Sequence, residues 1–141
     1  MGHKRWLLIE PGPGITKKLV RGRHLIKKEE DDEAIHYFDF ILPRLKAAEG
    51  HRLKMIEGIQ RPGECIFVPG QWWHAVLNLD NTIAITENFC NYGNFDKVWL
   101  DTRQSRKKLS CKWLKLLEKH EPEAYRRAIE LNERDNFVMW D

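Results

Sequence analysis

The sequence contains few cysteines and no long apolar run. Its three cysteines, Cys65, Cys90 and Cys111, are widely spaced and odd in number. That pattern argues against a disulfide framework and against a zinc site built from close cysteine pairs, so we expect buried or inert thiols. No apolar stretch approaches the roughly 18–20 residues that span a bilayer, and the first residues lack the apolar core of a signal peptide. We therefore expect an intracellular protein that does not enter membranes.

The sequence also has no large excess of charge of either sign. Its 141 residues are 42% hydrophobic and 32% charged, with a formal net charge of +3, which is the balance of one soluble globular domain. The positive charge concentrates in two segments, residues 17–28 and 103–112. We interpret these segments as solvated surface, and contact with RNA or an acidic partner is the alternative.

Hydrophobic periodicity predicts strands in the first two thirds of the chain. The run Lys4–Ile9 predicts a short buried strand, because its last four residues are all apolar. Residues 65–68, 72–79 and 82–86 are separated by turn residues and predict an antiparallel meander. A loop and a helix are inserted at about residues 10–45. We expect Asp31 or Asp32 to cap that helix and Pro43 to end or kink it.

Apolar residues recur at helical spacing after residue 94. Phe95, Val98 and Trp99 share one predicted helix face, and Pro122 suits the first turn of a later helix. A further predicted face, which we interpret as core, holds Leu109, Trp113, Leu116 and Leu117. The predicted organisation is one domain over residues 1–94 and a helical extension over residues 95–141.

The segment with the most chemical information is residues 63–78. It combines a strand, a Pro-Gly turn and a second strand that carries His74 near its start. Because side chains alternate across a strand, His74 and Asn78 are predicted on one side and Trp73 and Leu77 on the other. A neutral imidazole at the mouth of a barrel is a good iron(II) ligand. A single histidine in an apolar strand is otherwise a hydrogen-bonded structural residue, and spacing alone leaves both interpretations open.

One set of short runs stands out: Pro62-Gly63-Glu64, Phe67-Val68-Pro69-Gly70, Trp72-Trp73-His74, residues 76–79 and residues 82–89. Together these runs resemble the distal-histidine hairpin of JmjC-domain dioxygenases, and residues 2–6 resemble a JmjC strand. The resemblance is strongest to the bifunctional arginine demethylase and lysyl-hydroxylase family, once described as phosphatidylserine receptor. Residues 32–35, 43–44 and 108–113 fit that subgroup.

The resemblance implies a fold, two cofactors and four site residues. The fold would be part of a double-stranded β-helix, a cupin-like jelly roll, in a mainly β chain with a helical C-terminal extension. His74 would be the distal iron(II) ligand, while Lys4 and Thr86 would bind the far carboxylate of 2-oxoglutarate. A buried carboxylate needs such a cation and a neutral donor to offset its desolvation. Asn88 is predicted either to line the same pocket or to be a strand-end polar residue.

The sequence departs from the family in one respect. JmjC dioxygenases supply a first histidine and a carboxylate as His-x-Asp or His-x-Glu, and none of the six histidines here is followed in that way. In the family that motif precedes the strand resembling Lys4–Ile9. We therefore expect the C-terminal half of an enzyme, a fragment or incomplete gene model that is inactive and binds its cofactors poorly as given. A natural, catalytically dead truncation is the alternative, which we disfavour because it would expose strand edges.

The resemblance also implies partners. The complete protein would oxidise lysine or methyl-arginine side chains of protein substrates in the nucleus, and no catalytic side chain is assigned in this chain. The competing interpretation is a non-catalytic module that binds RNA or protein through its basic segments and C-terminal helices. We also expect that those helices can form a homodimer.

Overall fold

The computed structural model describes residues 1–31 and 33–139. The chain divides into two units, Met1–Ile85 and Thr86–Asp141. Helices occupy more of the described residues than strands do, so the prediction of a mainly β chain is confirmed only in part. No helix in the described part of the chain is long and apolar enough to cross a bilayer. Asp32 and residues 140–141, which belong to the predicted cap and extension, lie outside the described residues.

A three-stranded antiparallel sheet forms the centre of the first unit. Its strands are β1 (Lys4–Ile9), β2 (Met55–Gln60) and β3 (Trp73–Asn78), and β1 lies between the other two. Lys4 is opposite Gln60 on one side and Asn78 on the other. The predicted strands at Lys4–Ile9 and within residues 72–79 are therefore confirmed.

The two faces of this sheet have different surroundings. Leu7 and Ile9 are buried, and Trp73 and Leu77 of β3 pack against the same core. The other face carries Lys4, Trp6 and Leu8, and we call it the open face. The cross-strand partners on this face are Asn78, Val76 and His74 of β3 together with Gln60, Gly58 and Ile56 of β2.

Helices cover the buried face. Helix α1 spans Lys17–Val20, and a single 3₁₀ turn follows at Arg23–Leu25. Helix α2 (Ala34–His36) continues through a π-helical turn (Tyr37–Ile41) into α3 (Leu42–Glu49). Besides Leu7 and Ile9 of the sheet, the buried residues of this core are Val20, Tyr37, Phe38, Ile41, Leu42, Leu45 and Leu53.

Proline does not end the inserted helix. Pro43 is the second residue of α3, directly after the π-helical turn, and the helix continues beyond it to Glu49. The irregularity instead precedes Pro43 as the π-helical turn, a common site of local distortion. Before the helix, the Asp31 carboxylate accepts a hydrogen bond from the Glu33 backbone N–H at 2.9 Å. Asp31 thus satisfies one of the backbone donors that precede α2.

Two strands of the predicted meander are absent from the described structure. Residues 65–68 and 82–86 have no regular secondary structure, and Phe67 and Ile85 are 66% and 95% exposed. A strand requires a partner for its backbone groups, and within the described residues neither of these two runs pairs with a strand. We expected buried or inert thiols, and burial is wrong for Cys65 and Cys90, which are exposed.

The chain start is instead held by the turn that follows β3. The Leu79 backbone N–H donates to the His3 carbonyl at 2.9 Å, and the Ile83 backbone N–H donates to the Met1 carbonyl at 3.0 Å. Gly2 lies in this contact with φ of 83°. A Cβ at Gly2 would approach the Asn81 carbonyl oxygen to 2.5 Å, so the close approach requires glycine.

Three helices form the second unit. They are α4 (Phe95–Ser105), α5 (Lys107–His120) and α6 (Pro122–Arg134), as the periodicity predicts. Their core contains Phe95, Trp99, Leu117, Ala124, Ala128 and Leu131. Two residues of the predicted α5 face are not core, since Leu109 and Leu116 are 49% and 56% exposed.

A buried arginine joins α4 to the end of α6. Arg103 is only 2% exposed, and its Nη1 donates to the Leu131 carbonyl and to Asn132 Oδ1, both at 2.9 Å. Trp99 Nε1 donates to the same Asn132 oxygen at 3.0 Å, and Arg103 also pairs with Asp135. The cation therefore satisfies carbonyl groups at the C-terminal end of a helix, where positive charge is favourable.

Candidate functional site

Lys4 is the cation of the open face. It lies on the central strand, directly opposite Asn78 of β3, so the two side chains are on the same face. Lys4 Nζ donates a hydrogen bond to Asn78 Oδ1 at 2.6 Å. Ammonium groups have three donors, and this bond fixes the direction of one of them while leaving the others able to contact a ligand oxygen.

His74 lies on the same face of the neighbouring strand. It is opposite Leu8, four residues along β3 from Asn78, which corresponds to about 13 Å of strand. Its ring is exposed, and Nδ1 is 3.4 Å from the Trp72 carbonyl oxygen. The structure therefore confirms the predicted alternation of β3, with His74 and Asn78 on one side and Trp73 and Leu77 in the core.

Trp6 occupies the position between Lys4 and Leu8 on β1. Its ring centroid is 6.2 Å from that of His74, and its Nε1 donates to Gln60 Oε1 at 3.0 Å. The Gln60 amide in turn donates to the Glu64 carbonyl at 2.8 Å. These contacts hold the Trp6 ring on the open face beside His74. Sequence reasoning did not assign Trp6 or Gln60 to the site, although the two-residue period of β1 places Trp6 on the Lys4 face.

Thr86 and Asn88 belong to the second unit. Both are exposed and lie in a segment without regular secondary structure. The expected period-two relationship between them depends on a strand, and no strand forms at residues 82–86. Within the first unit, the structure brings Lys4 and His74 onto one surface, while the roles of Thr86 and Asn88 remain predictions.

The described residues do not form a complete iron site by themselves. Non-haem iron(II) oxygenases hold the metal with two histidines and one carboxylate. Within residues 1–31 and 33–139, no three His, Cys, Asp or Glu side chains are grouped to hold a metal ion. Since His74 alone cannot chelate iron(II), no step of iron chemistry follows from this chain alone.

Two carboxylates on or next to the sheet, Asp80 and Glu57, are already engaged elsewhere. Asp80 bonds His3 Nδ1 at 2.7 Å, and this bond holds the pKa of the Asp80 carboxyl below its usual value. Glu57 is opposite Leu7, so it points away from the open face. A hydrogen bond from Lys46 and a second one from Arg5 lower the pKa of Glu57. Both side chains are therefore ion-paired structural carboxylates rather than candidate ligands.

The free edge of β3 borders a cavity. Strand β3 pairs only with β1 among the described residues, so its other edge has no partner strand there. The cavity beside it has a volume of about 360 Å³. Trp73 is one of the residues that line this cavity. Its indole Nε1 is buried and has no hydrogen-bond partner in the described structure. Besides Trp73 and His74, the lining includes Val20, Arg21, Tyr37 and Ala75.

Comparison with known proteins matches residues 1–89 to the family described as JmjC domain, hydroxylase. The chain is 40% identical over 123 residues to the "Bifunctional arginine demethylase and lysyl-hydroxylase psr-1" of Caenorhabditis elegans, covering 86% of this chain and 30% of that protein. It is 34% identical over 98 residues to the mouse (Mus musculus) "2-oxoglutarate and iron-dependent oxygenase JMJD4", covering 70% of this chain and 21% of that protein.

The chain thus spans less than a third of the length of these two curated relatives. The matched residues include β1, β2 and β3, and hence the whole open face with Lys4 and His74. The resemblance found in the motifs of the sequence is therefore confirmed, and the chain belongs to the JmjC domain family.

Proposed function

We propose that this chain is the C-terminal part of the catalytic domain of a JmjC protein oxygenase that depends on iron(II) and 2-oxoglutarate. The observation that supports this proposal most directly is that Lys4 and His74 lie on the same open face of two hydrogen-bonded strands. A carboxylate cofactor that also ligands the metal requires a cation and a metal-binding imidazole on one surface. In this role His74 is the distal iron ligand, and Lys4 binds the far carboxylate of 2-oxoglutarate.

The remaining iron ligands are proposed to come from a strand outside the given sequence. The free edge of β3 offers backbone hydrogen bonds to such a strand, and the adjacent cavity offers room for its side chains. A histidine and a carboxylate on that strand would lie beside His74 and complete the chelating face. The same addition would turn the three-stranded sheet into one wall of a double-stranded β-helix.

Residues 82–89 are proposed to join the opposite wall of that complete domain. Ile83 and Ile85 are highly exposed in this structure, which is the expected state of a strand sequence without partners. Formation of that strand would place Thr86 and Asn88 on one face, since they are two residues apart. We propose that Thr86 then donates to the 2-oxoglutarate carboxylate and that Asn88 lines the same pocket.

The proposed substrates are lysine or methyl-arginine side chains of proteins. This proposal is supported by the relative described as an arginine demethylase and lysyl-hydroxylase and by a second relative, the "Arginine-specific demethylase JMJ20" of Arabidopsis thaliana. When bound, iron and 2-oxoglutarate supply oxidation by molecular oxygen. This chain's contribution is to orient the co-substrate through Lys4 and to hold the metal through His74.

The test is succinate release by the protein extended upstream to the length of its relatives, supplied with iron(II), 2-oxoglutarate and peptides containing lysine or methyl-arginine. We expect peptide-dependent succinate, which His74→Ala abolishes because a metal ligand is lost. His51→Ala is the matched control, since His51 is an exposed histidine in the segment before β2. Absence of succinate from the extended protein with every peptide class would contradict the proposed function.

A further inference from the structure

Helix α5 presents a surface that the core of its unit does not use. Successive helical residues rotate by about 100°, and six residues of α5 fall within about 120° of its circumference, opposite the buried Ser110 and Leu117. All six are exposed. We call them the α5 arc, and they are Lys108, Leu109, Lys112, Leu116, Lys119 and His120.

The charge of the α5 arc is uniformly positive. Glu118 is the only acidic residue of α5, and its helical position lies outside the arc. Lys108, Lys112 and Lys119 take part in no ion pair within residues 1–31 and 33–139. Elsewhere in the unit basic side chains do find acids, as Arg127 does with Asp96 at 2.6 Å. The arc therefore carries uncompensated charge that an acidic partner would neutralise.

The arc is also apolar along one side, next to its lysines. Leu109 and Leu116 are seven residues apart, so they lie on one line two turns apart and about 10 Å along the axis. Both are about half exposed, whereas Leu117 and Leu131 of the same unit are buried and Leu100 and Leu114 are partly buried against its core. Leucines at this spacing match the contact positions of a second helix, which binds through apolar residues at i, i+3 or i+4 and i+7.

We propose that the α5 arc binds an acidic amphipathic helix of a partner protein. The partner's leucine-like residues would contact Leu109 and Leu116, and its flanking carboxylates would pair with Lys108, Lys112 and Lys119. A second copy of this chain fits less well, because a two-fold contact between two arcs would bring lysines against lysines. Phosphate backbones and anionic lipid surfaces can neutralise the lysines, but they give no reason for a line of two exposed leucines beside those lysines.

The experiment uses the 141-residue chain and a synthetic acidic helical peptide with leucines seven residues apart. A second peptide has glutamine in place of the leucines at equal charge, and a short single-stranded RNA of equal net charge is a further probe. We expect saturable binding of the leucine peptide that weakens with salt. We also expect the glutamine peptide and the RNA to bind about tenfold less tightly, because neither can fill the leucine line.

Two charge-matched variants separate the effect of the arc lysines from the effect of positive charge elsewhere in the chain. Lys108→Glu/Lys112→Glu/Lys119→Glu should weaken the leucine peptide by about tenfold or more, because the paired charges then repel. Lys17→Glu/Lys18→Glu/Lys28→Glu changes the same charge on exposed residues of the first unit and should leave binding within about twofold. Leu109→Gln/Leu116→Gln should also weaken the peptide, at unchanged charge. Circular dichroism spectra of all variants check that the helices remain.

Mapping on the unaltered chain gives a readout independent of any variant. Titration of the leucine peptide should shift the amide resonances of residues 108–120 and leave those of residues 17–28 in place. Equal binding by the arc triple variant, or peak shifts confined to another surface, would overturn the proposal. RNA that binds as tightly as the leucine peptide and is insensitive to Leu109→Gln/Leu116→Gln would assign the arc to polyanions instead.

Discussion

The ammonium group of Lys4 donates a hydrogen bond to the Asn78 side chain across two adjacent strands, over a distance of 2.6 Å. The two residues are directly opposite in the register of β1 and β3, so the contact follows from strand pairing and not from a loop. Asn78 is thus able to position the cation that is proposed to bind 2-oxoglutarate. Its amide is neutral, so it orients Lys4 without cancelling the charge that a carboxylate requires.

Substitution of Asn78 in the upstream-extended protein should weaken 2-oxoglutarate binding. Asn78→Ala removes the acceptor that orients Lys4, and we expect about a three- to tenfold rise in Kd, the equivalent of one ordinary hydrogen bond. Asn78→Asp should be worse, because its carboxylate would compete for the ammonium group. Direct titration of 2-oxoglutarate in the absence of peptide measures both effects. Asn81→Ala, in the exposed turn after β3, is the control, and equal Kd values for all three variants would contradict the positioning role.

Two glycines with positive φ provide a matched test of the contact at the chain start. Gly2→Ala should lower the free energy of unfolding by about 2–4 kcal/mol, because it combines left-handed strain with a Cβ that has no room. Gly63→Ala has the same backbone cost but no atom within 4 Å of the added Cβ, so its loss should be nearer to 1 kcal/mol. Urea denaturation measures both values. Similar losses would mean that the close approach of Gly2 to the turn does not hold the chain start.

Arg103 should be among the most sensitive positions of the helical unit. Arg103→Met keeps much of the apolar volume but leaves the Leu131 carbonyl and the Asn132 amide oxygen without this donor, at a cost of about 2–4 kcal/mol. Arg126→Met is the control, since Arg126 is an exposed arginine of α6 and should change stability by less than about 0.5 kcal/mol. Thermal unfolding followed by circular dichroism compares the two variants. A Tm for Arg103→Met equal to that of the control would show that the buried cation is dispensable.

The local pattern of the sequence was sufficient to predict the faces of β3 but not those of β1. The apolar run that ends Lys4–Ile9 gives no alternation, and its Trp6 and Leu8 lie on the open face. Alternation around His74 correctly separated the core side of β3 from its open side, because this strand has one buried face in the structure. It was not sufficient for the strand order β2-β1-β3, which joins residues more than sixty positions apart. The run 82–86 shows the other limit. Its β-branched residues favour a strand, but a strand forms only where a partner satisfies its backbone groups.

Leu109 and Leu116 illustrate the same limit for helices. Their spacing on α5 is that of a core stripe, and periodicity alone assigns them to the interior together with Leu117. The helix forms as the sequence predicts, yet the neighbouring helices α4 and α6 bury the side that holds Ser110 and Leu117. Which of two adjacent apolar lines becomes buried depends on how the partner helices pack. That information is not contained in the α5 sequence, and the uncovered line is the basis of the proposed α5 arc.

The ion pair between Glu30 and Arg44 should make the stability of the first unit depend on acid pH. Arg44 donates two hydrogen bonds to the Glu30 carboxylate at 2.5 and 2.8 Å, and these bonds, with one from the Lys27 backbone N–H, lower the pKa of Glu30 from its usual 4.5 to about 2. A carboxyl whose pKa is depressed by folding stabilises the folded state above its ordinary pKa. The contribution is lost as the pH falls from about 4.5 towards 2, because the unfolded chain takes up the proton first.

Glu30→Gln should therefore lower the Tm at pH 6 and have a progressively smaller effect between pH 4.5 and 2.5, where protonation of Glu30 in the unfolded chain removes the stabilisation. Thermal unfolding of both proteins across this range, at low salt, gives the difference at each pH. Glu29→Gln is the control, since Glu29 is the exposed neighbour of Glu30 in the chain, and its Tm difference should stay small and flat. A Glu30→Gln difference that is constant from pH 6 to pH 2.5 would show that the interaction with Arg44 does not depend on the carboxylate charge.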